Sequence, residues 1–121
     1  MADDTAGGTG PTGAGTGGDS VAVSDNSGAS RFEITVGGVT AGFAVYRLRA
    51  GKIIFTHTEI LPEFEGRGLG GRLASAALDA SRASGRAVVP LCPFFAGYIR
   101  RHPAYRDLVP ESYADLLDEE T

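Results

Sequence analysis

The chain is short of the residues that most metal centres and disulfide frameworks need. It holds a single cysteine, Cys92, in 121 residues. One thiol excludes an internal disulfide and any cluster built from several cysteines. The only histidines, His57 and His102, lie too far apart for a zinc-binding spacing. No apolar run approaches the ~20 residues a membrane-spanning helix needs. The first residues also lack the basic start and apolar stretch of a secretory signal. These absences predict a cytoplasmic protein with a reduced thiol, no metal and no membrane contact. No internal repeat is visible.

Basic residues are missing from both ends. Residues 1–30 hold four Asp and no Lys or Arg, and six acids but no base follow Arg106. Residues 31–106 carry all eleven Lys and Arg against five acids. The net charge of −4 thus conceals a basic middle. That middle suits an anionic small ligand, although ordinary solvated arginines would give the same count. Nucleic acid is not expected as a partner, and a monomer is.

Residues 1–30 also hold eight of the eighteen glycines and no aromatic side chain. Such a segment buries too little apolar surface to offset its ordering entropy, so a disordered, Gly-rich acidic tail is expected there, with only "VAV" at 21–23 hinting at order. The pattern changes at Arg31. "RFEITV" (31–36), "TAGFAVYRLR" (40–49) and "KIIFTHTEI" (52–60) alternate as half-buried strands do. The two-residue turns "GG" and "AG" join them into an antiparallel meander. Helical spacing of Leu69, Leu73, Ala76, Ala77 and Ala80 predicts a helix that stops near Gly85. "RAVVPLC" (86–92) reads as a short strand, and "PFFAGYIRRH" (93–102) as a helix with Pro near its first position. The organisation expected is a tail over 1–30, one domain over 31–110, and an acidic tail or short helix over 111–121.

Between strand and first helix lies "EFEGRGLGGRL", with Gly66, Gly68, Gly70 and Gly71 beside Arg67 and Arg72. Strand, glycine loop and helix together aim free backbone N–H groups and a positive helix end at an anion. A Walker loop would need Lys then Ser or Thr after the last glycine, and Arg72 and Leu73 stand there. The spacing Gly66-x-Gly68-x-x-Gly71 matches the dinucleotide pattern. The next strand, however, ends in Leu91 and Cys92 rather than in an acid, and the chain is too short for two mononucleotide halves.

The meander, a loop running Glu65-Gly66-Arg67-Gly68-Leu69-Gly70, then helix, strand and helix resemble the GCN5-related N-acetyltransferases over about residues 31–108. "PLCPFFAGYIRRHPAYRDLV" is similar to the small, minimal acetyltransferase-like members of that superfamily. The resemblance implies an α/β fold, a mixed and mostly antiparallel sheet flanked by helices. It implies acetyl-CoA as cosubstrate, its pyrophosphate held by loop amides, with Ile60, Leu61, Glu65, Gly66, Arg67, Gly68, Leu69, Gly70, Gly71, Arg72, Cys92 and Tyr98 around it. The superfamily usually has Gln or Arg where this chain has Glu65, so that carboxylate is expected to turn outward. Arg67 or Arg72 would then assist the amides.

Acetyl transfer to an amine requires removing a proton from the amine, stabilising an oxyanion and protonating a thiolate. By resemblance, the thioester lies where strands 52–60 and 86–92 separate, which makes His57, Thr58, Glu59 and Cys92 candidates. Cys92 ends a strand at a helix N-terminus, a setting that lowers a thiol's pKa. It is read either as an acyl-carrying nucleophile or as a small buried apolar residue. Tyr98 falls where the superfamily's leaving-group acid sits, although His102 stands where that pattern has glycine. A packed core aromatic is the competing reading. His57 and Glu59 share a strand face and Thr58 points the other way. Any of the three could be a base acting through water. The expected function is N-acetylation of an unidentified amine: a protein lysine, a polyamine or a small amine. The alternative is a CoA-binding module with little turnover.

Overall fold

The computed structural model describes residues 20–118. Five strands form one sheet in the order β1-β2-β3-β4-β5. They are β1 (Val21–Asn26), β2 (Arg31–Val36), β3 (Val39–Arg49), β4 (Lys52–Ile60) and β5 (Ala87–Pro90). Neighbours from β1 to β4 run antiparallel, and β5 lies parallel to β4. The crossover between those two carries helix α1 (Leu69–Ala83), and α2 (Pro93–Arg101) follows β5. Two 3-10 segments, Pro103–Leu108 and Glu111–Leu117, complete the described chain.

The strand β1 begins inside the stretch expected to be a tail. Val21 to Asn26 pair with Val36 to Arg31 along the full length of β2. The other part of that expected tail, residues 1–19, lies outside the described residues, as do residues 119–121. Composition misled here because β1 is held by long-range partners. The buried Tyr46 hydroxyl donates a hydrogen bond to the Asp25 carboxylate, 21 residues away. Burial, and then that carboxylate, push the phenol's pKa up to about 12. Removing the acceptor would strand a buried donor.

Alternation sends Phe32, Ile34, Ala44, Tyr46, Ile53 and Phe55 to the face covered by α1 and α2. There the Phe55 ring stacks on Phe95 of α2, with centroids 4.1 Å apart and 11° between planes. The helix α1 contributes Leu69, Leu73, Ala74, Ala77 and Leu78 to the same core. The opposite face carries the half-exposed Phe43, Val45 and Ile54 and the exposed Arg47, Thr56 and His57.

Two irregularities in β4 position the candidate site. Val45 pairs with His57 but Tyr46 pairs with Phe55, so Thr56 and His57 together oppose one residue of β3. This bulge shifts the parity of the strand. Under strict alternation His57 and Glu59 would follow Ile53 and Phe55 into the core. With the extra residue they emerge on the open face, and Thr58 and Ile60 turn inward. The second irregularity is at β5, whose pairing stops at Phe55–Pro90 while β4 continues to Ile60. The last link across is the Cys92 N–H to the Phe55 carbonyl, at 2.8 Å. Beyond it, β4 and the chain of β5 part.

Candidate active site at the strand split and glycine loop

Four glycines crowd the loop for more than one reason. Gly66 and Gly68 have φ of 83° and 75°, the left-handed region that side chains resist. Gly70 allows close helix packing: a Cβ there would sit 2.9 Å from Phe94 of α2. Gly71 is under neither constraint, since a Cβ would meet Tyr98 at an ordinary 3.6 Å. Much of the glycine density is therefore internal geometry, which sequence spacing could not separate from a need for a ligand.

What remains is an open helix end. Gly68 is the N-cap of α1 and supplies no side-chain cap, and the first turn holds no acid. The first helical bond runs from the Arg72 N–H to the Gly68 carbonyl at 3.3 Å. The N–H groups of Leu69, Gly70 and Gly71 thus have no carbonyl within the helix. Leu69 buries its side chain, and the residues around the loop tip, Glu65 through Gly68, are exposed. Arg67 lies over the Phe64 ring, 5.2 Å from its centroid. Leu61 donates its N–H to the Ala41 carbonyl at 2.8 Å, which anchors the loop to β3, and Ile60 packs against the core.

A groove of about 600 Å³ runs from this helix end along α1. Gly68, Arg72, Ser75 and Asp79 line it on one side, and Tyr98 and His102 on the other. The Tyr98 and His102 rings stack at 4.0 Å and 17°. His102 Nδ1 lies 2.9 Å from the Tyr98 carbonyl. A carbonyl only accepts, so Nδ1 carries the hydrogen. Ser75 and Asp79 were not anticipated. Ser75 follows Gly71 and Arg72 by four and three residues and Asp79 follows Ser75 by four, a single helical face that was the available signal.

At the split, Thr58 Oγ1 and Cys92 Sγ are 3.3 Å apart, with Cys92 only 3% exposed. On the other face, His57 Nε2 and Glu59 Oε1 are 3.3 Å apart and well exposed. The sequence candidates therefore fall into three groups. Thr58 and Cys92 meet under the helices, His57 and Glu59 meet on the open face, and Tyr98 borders the groove with Gly68 and Gly71. The split thus separates a hydroxyl–thiol pair on the helix side from an imidazole–carboxylate pair on the open face, while the Tyr98 phenol lies in the groove along α1.

A family model of GCN5-related N-acetyl-transferases matches residues 31–108. The chain belongs to that family, and its mixed five-stranded sheet with flanking helices is a small version of the acetyltransferase fold. Among solved structures, the NMR solution structure of a GCN5-like protein from Staphylococcus aureus aligns with a TM-score of 0.58 at 20% identity. The alignment covers 74% of this chain and 87% of that one, a likeness of fold. No curated protein matches the chain.

Proposed function

We propose that this protein is an acetyl-CoA-dependent N-acetyltransferase. The observation that carries the reading is the uncapped start of α1, three N–H groups that have no acceptor among the described residues, beside a split in the sheet. Acetyl-CoA supplies the acyl group and a thiol leaving group. In this reading the amides of Leu69, Gly70 and Gly71 face its pyrophosphate and Arg72 adds a guanidinium, contacts strengthened by the ligand's charge. Glu65 stays in solvent. Thr58 and Cys92 border the thioester arm, and their hydroxyl and thiol offer donors to a developing oxyanion. The Glu59 carboxylate orients His57, which takes the amine's proton through water. Tyr98 supplies a phenolic donor from the groove side.

Adding acetyl-CoA to isotope-labelled protein should shift the amides of residues 66–72. Adding amines should then release free CoA. Absence of binding to folded protein would refute the proposal. A second reading, a CoA-binding module with little turnover, draws support from one arrangement: Cys92 is buried, whereas His57 and Glu59 lie on the opposite face. Binding without CoA release across the amine panel would select it.

A further inference from the structure

The open face of the sheet carries a groove of about 750 Å³, away from the helices. Val45 and Ile54 give it apolar surface, and Arg47 and Arg49 give it positive charge. Thr56 and Leu91 reach its other end. Those two directly follow Phe55 and Pro90, the last pair that joins β4 to β5. The groove therefore runs up to the split from the side opposite Thr58 and Cys92. No carboxylate lines it among the described residues. Two further cations share that face: Lys52 stands opposite Arg49 at the far end of the strands, and Arg31 is engaged by Glu33 at 2.7 Å and lies over the Phe43 ring.

Spacing along the sheet limits what would fit. Arg47 is opposite Ile54, two residues before Thr56 on the bulged strand. At about 3.3 Å per residue, and with the reach of an arginine side chain, a group on Arg47 lies on the order of 10 Å from the split. Two guanidinium groups favour a carboxylate, which they can hold by paired hydrogen bonds. They disfavour a second cation. Val45 and Ile54 between the two ends suit an apolar stem.

We infer that this groove receives the acceptor, and that the acceptor is an amine joined by an apolar stem to a carboxylate on the order of 10 Å away. The inference rests on the acetyl-transfer reading and adds a substrate class to it. Polyamines and lysines within basic peptides fall outside that class. In the reaction, the neutral amine nitrogen forms a bond to the acetyl carbon and the carbon–sulfur bond breaks. The proton lost from nitrogen ends on the departing sulfur, giving an amide and free CoA.

Two probes with the same ε-amine test this: Nα-acetyl-lysine, which has a free carboxylate, and its carboxamide. The acid should shift the amides of Arg47, Arg49, Thr56 and Leu91. It should also release CoA with kcat/KM at least about tenfold above the carboxamide. The double variant Arg47→Gln, Arg49→Gln should erase that preference, while acetyl-CoA still shifts residues 66–72. The single change Arg47→Lys, which retains a charge, should keep part of it. Equal kcat/KM for the two probes, or a higher value for spermidine, overturns the inference and leaves the acetyltransferase reading standing. If acetyl-CoA itself does not bind, that reading fails. The anion site then stands or falls on whether the acid, and not the carboxamide, shifts the groove amides.

Discussion

The two halves of β4, the largely apolar "KIIF" and the largely polar "THTEI", do different work. Lys52 to Phe55 are paired on both sides, by β3 and by β5, and every second side chain is buried. Thr56 to Ile60 keep only the β3 partner, and none of their side chains is fully buried. The bulge at Thr56 and the end of β5 at Pro90 fall at the same point of the strand. There the sheet changes from a packing surface to one that presents polar groups on both faces. A single strand can thus fix a site firmly at one end and leave it accessible at the other.

Substitutions on either side of that boundary should separate the roles. The largest effect is expected from Phe55→Ala, which removes a fully buried ring stacked on Phe95. A loss of about 3–5 kcal/mol should appear in urea unfolding. The same experiment on His57→Ala should move stability by less than about 0.5 kcal/mol, because that side chain is 61% exposed. Acetyl transfer would nevertheless fall in His57→Ala. Comparable destabilisation by both variants would erase the distinction between the halves.

An intermediate effect should come from the edge strand. Asp25→Ala leaves the Tyr46 hydroxyl buried without its acceptor and should cost about 1–3 kcal/mol. The same pair gives a pH signature. A phenol whose pKa is raised to about 12 when folded keeps its proton after the unfolded chain, near pKa 10, has lost it. The folded state then binds more protons, so stability falls as pH rises from about 10 to about 12. This contribution is fully present below pH 10. Tyr46→Phe should flatten that part of the stability profile, and an unchanged slope would show that the phenol is not the source.

The smallest effect concerns the loop. Gly71→Ala places a Cβ at ordinary contact distance in a helical turn and should stabilise the fold by up to about 1 kcal/mol. Gly68→Ala, with φ of 75°, should destabilise it. Thermal melts of the two variants moving in the same direction would contradict this division of the glycines.

Much of this architecture was legible in the sequence. The alternation of residues 31–60, the two-residue turns, Gly85 and Pro93 delimit the meander, both helices and β5 to within a few residues. Those signals are local, and local signals survive in a single chain. The edge strand β1 was not legible, because Ser, Asp and Asn among its six residues carry little strand propensity and its stability comes from β2 and Tyr46. Nor did anything in "KIIFTHTEI" announce the bulge. The parity argument separated Thr58 from His57 and Glu59 but could not say which of them would face the helices. The meeting of Thr58 with Cys92, 34 residues apart, depends on that bulge and on where β5 ends.

The central claim is that the open start of α1 is a site for acetyl-CoA. An amide-resolved titration of the full chain with acetyl-CoA tests it most directly. The account predicts saturable shifts centred on Leu69, Gly70 and Gly71, extending to Thr58 and Cys92 at the split. Folded protein whose amides at those positions do not move at millimolar acetyl-CoA would contradict it.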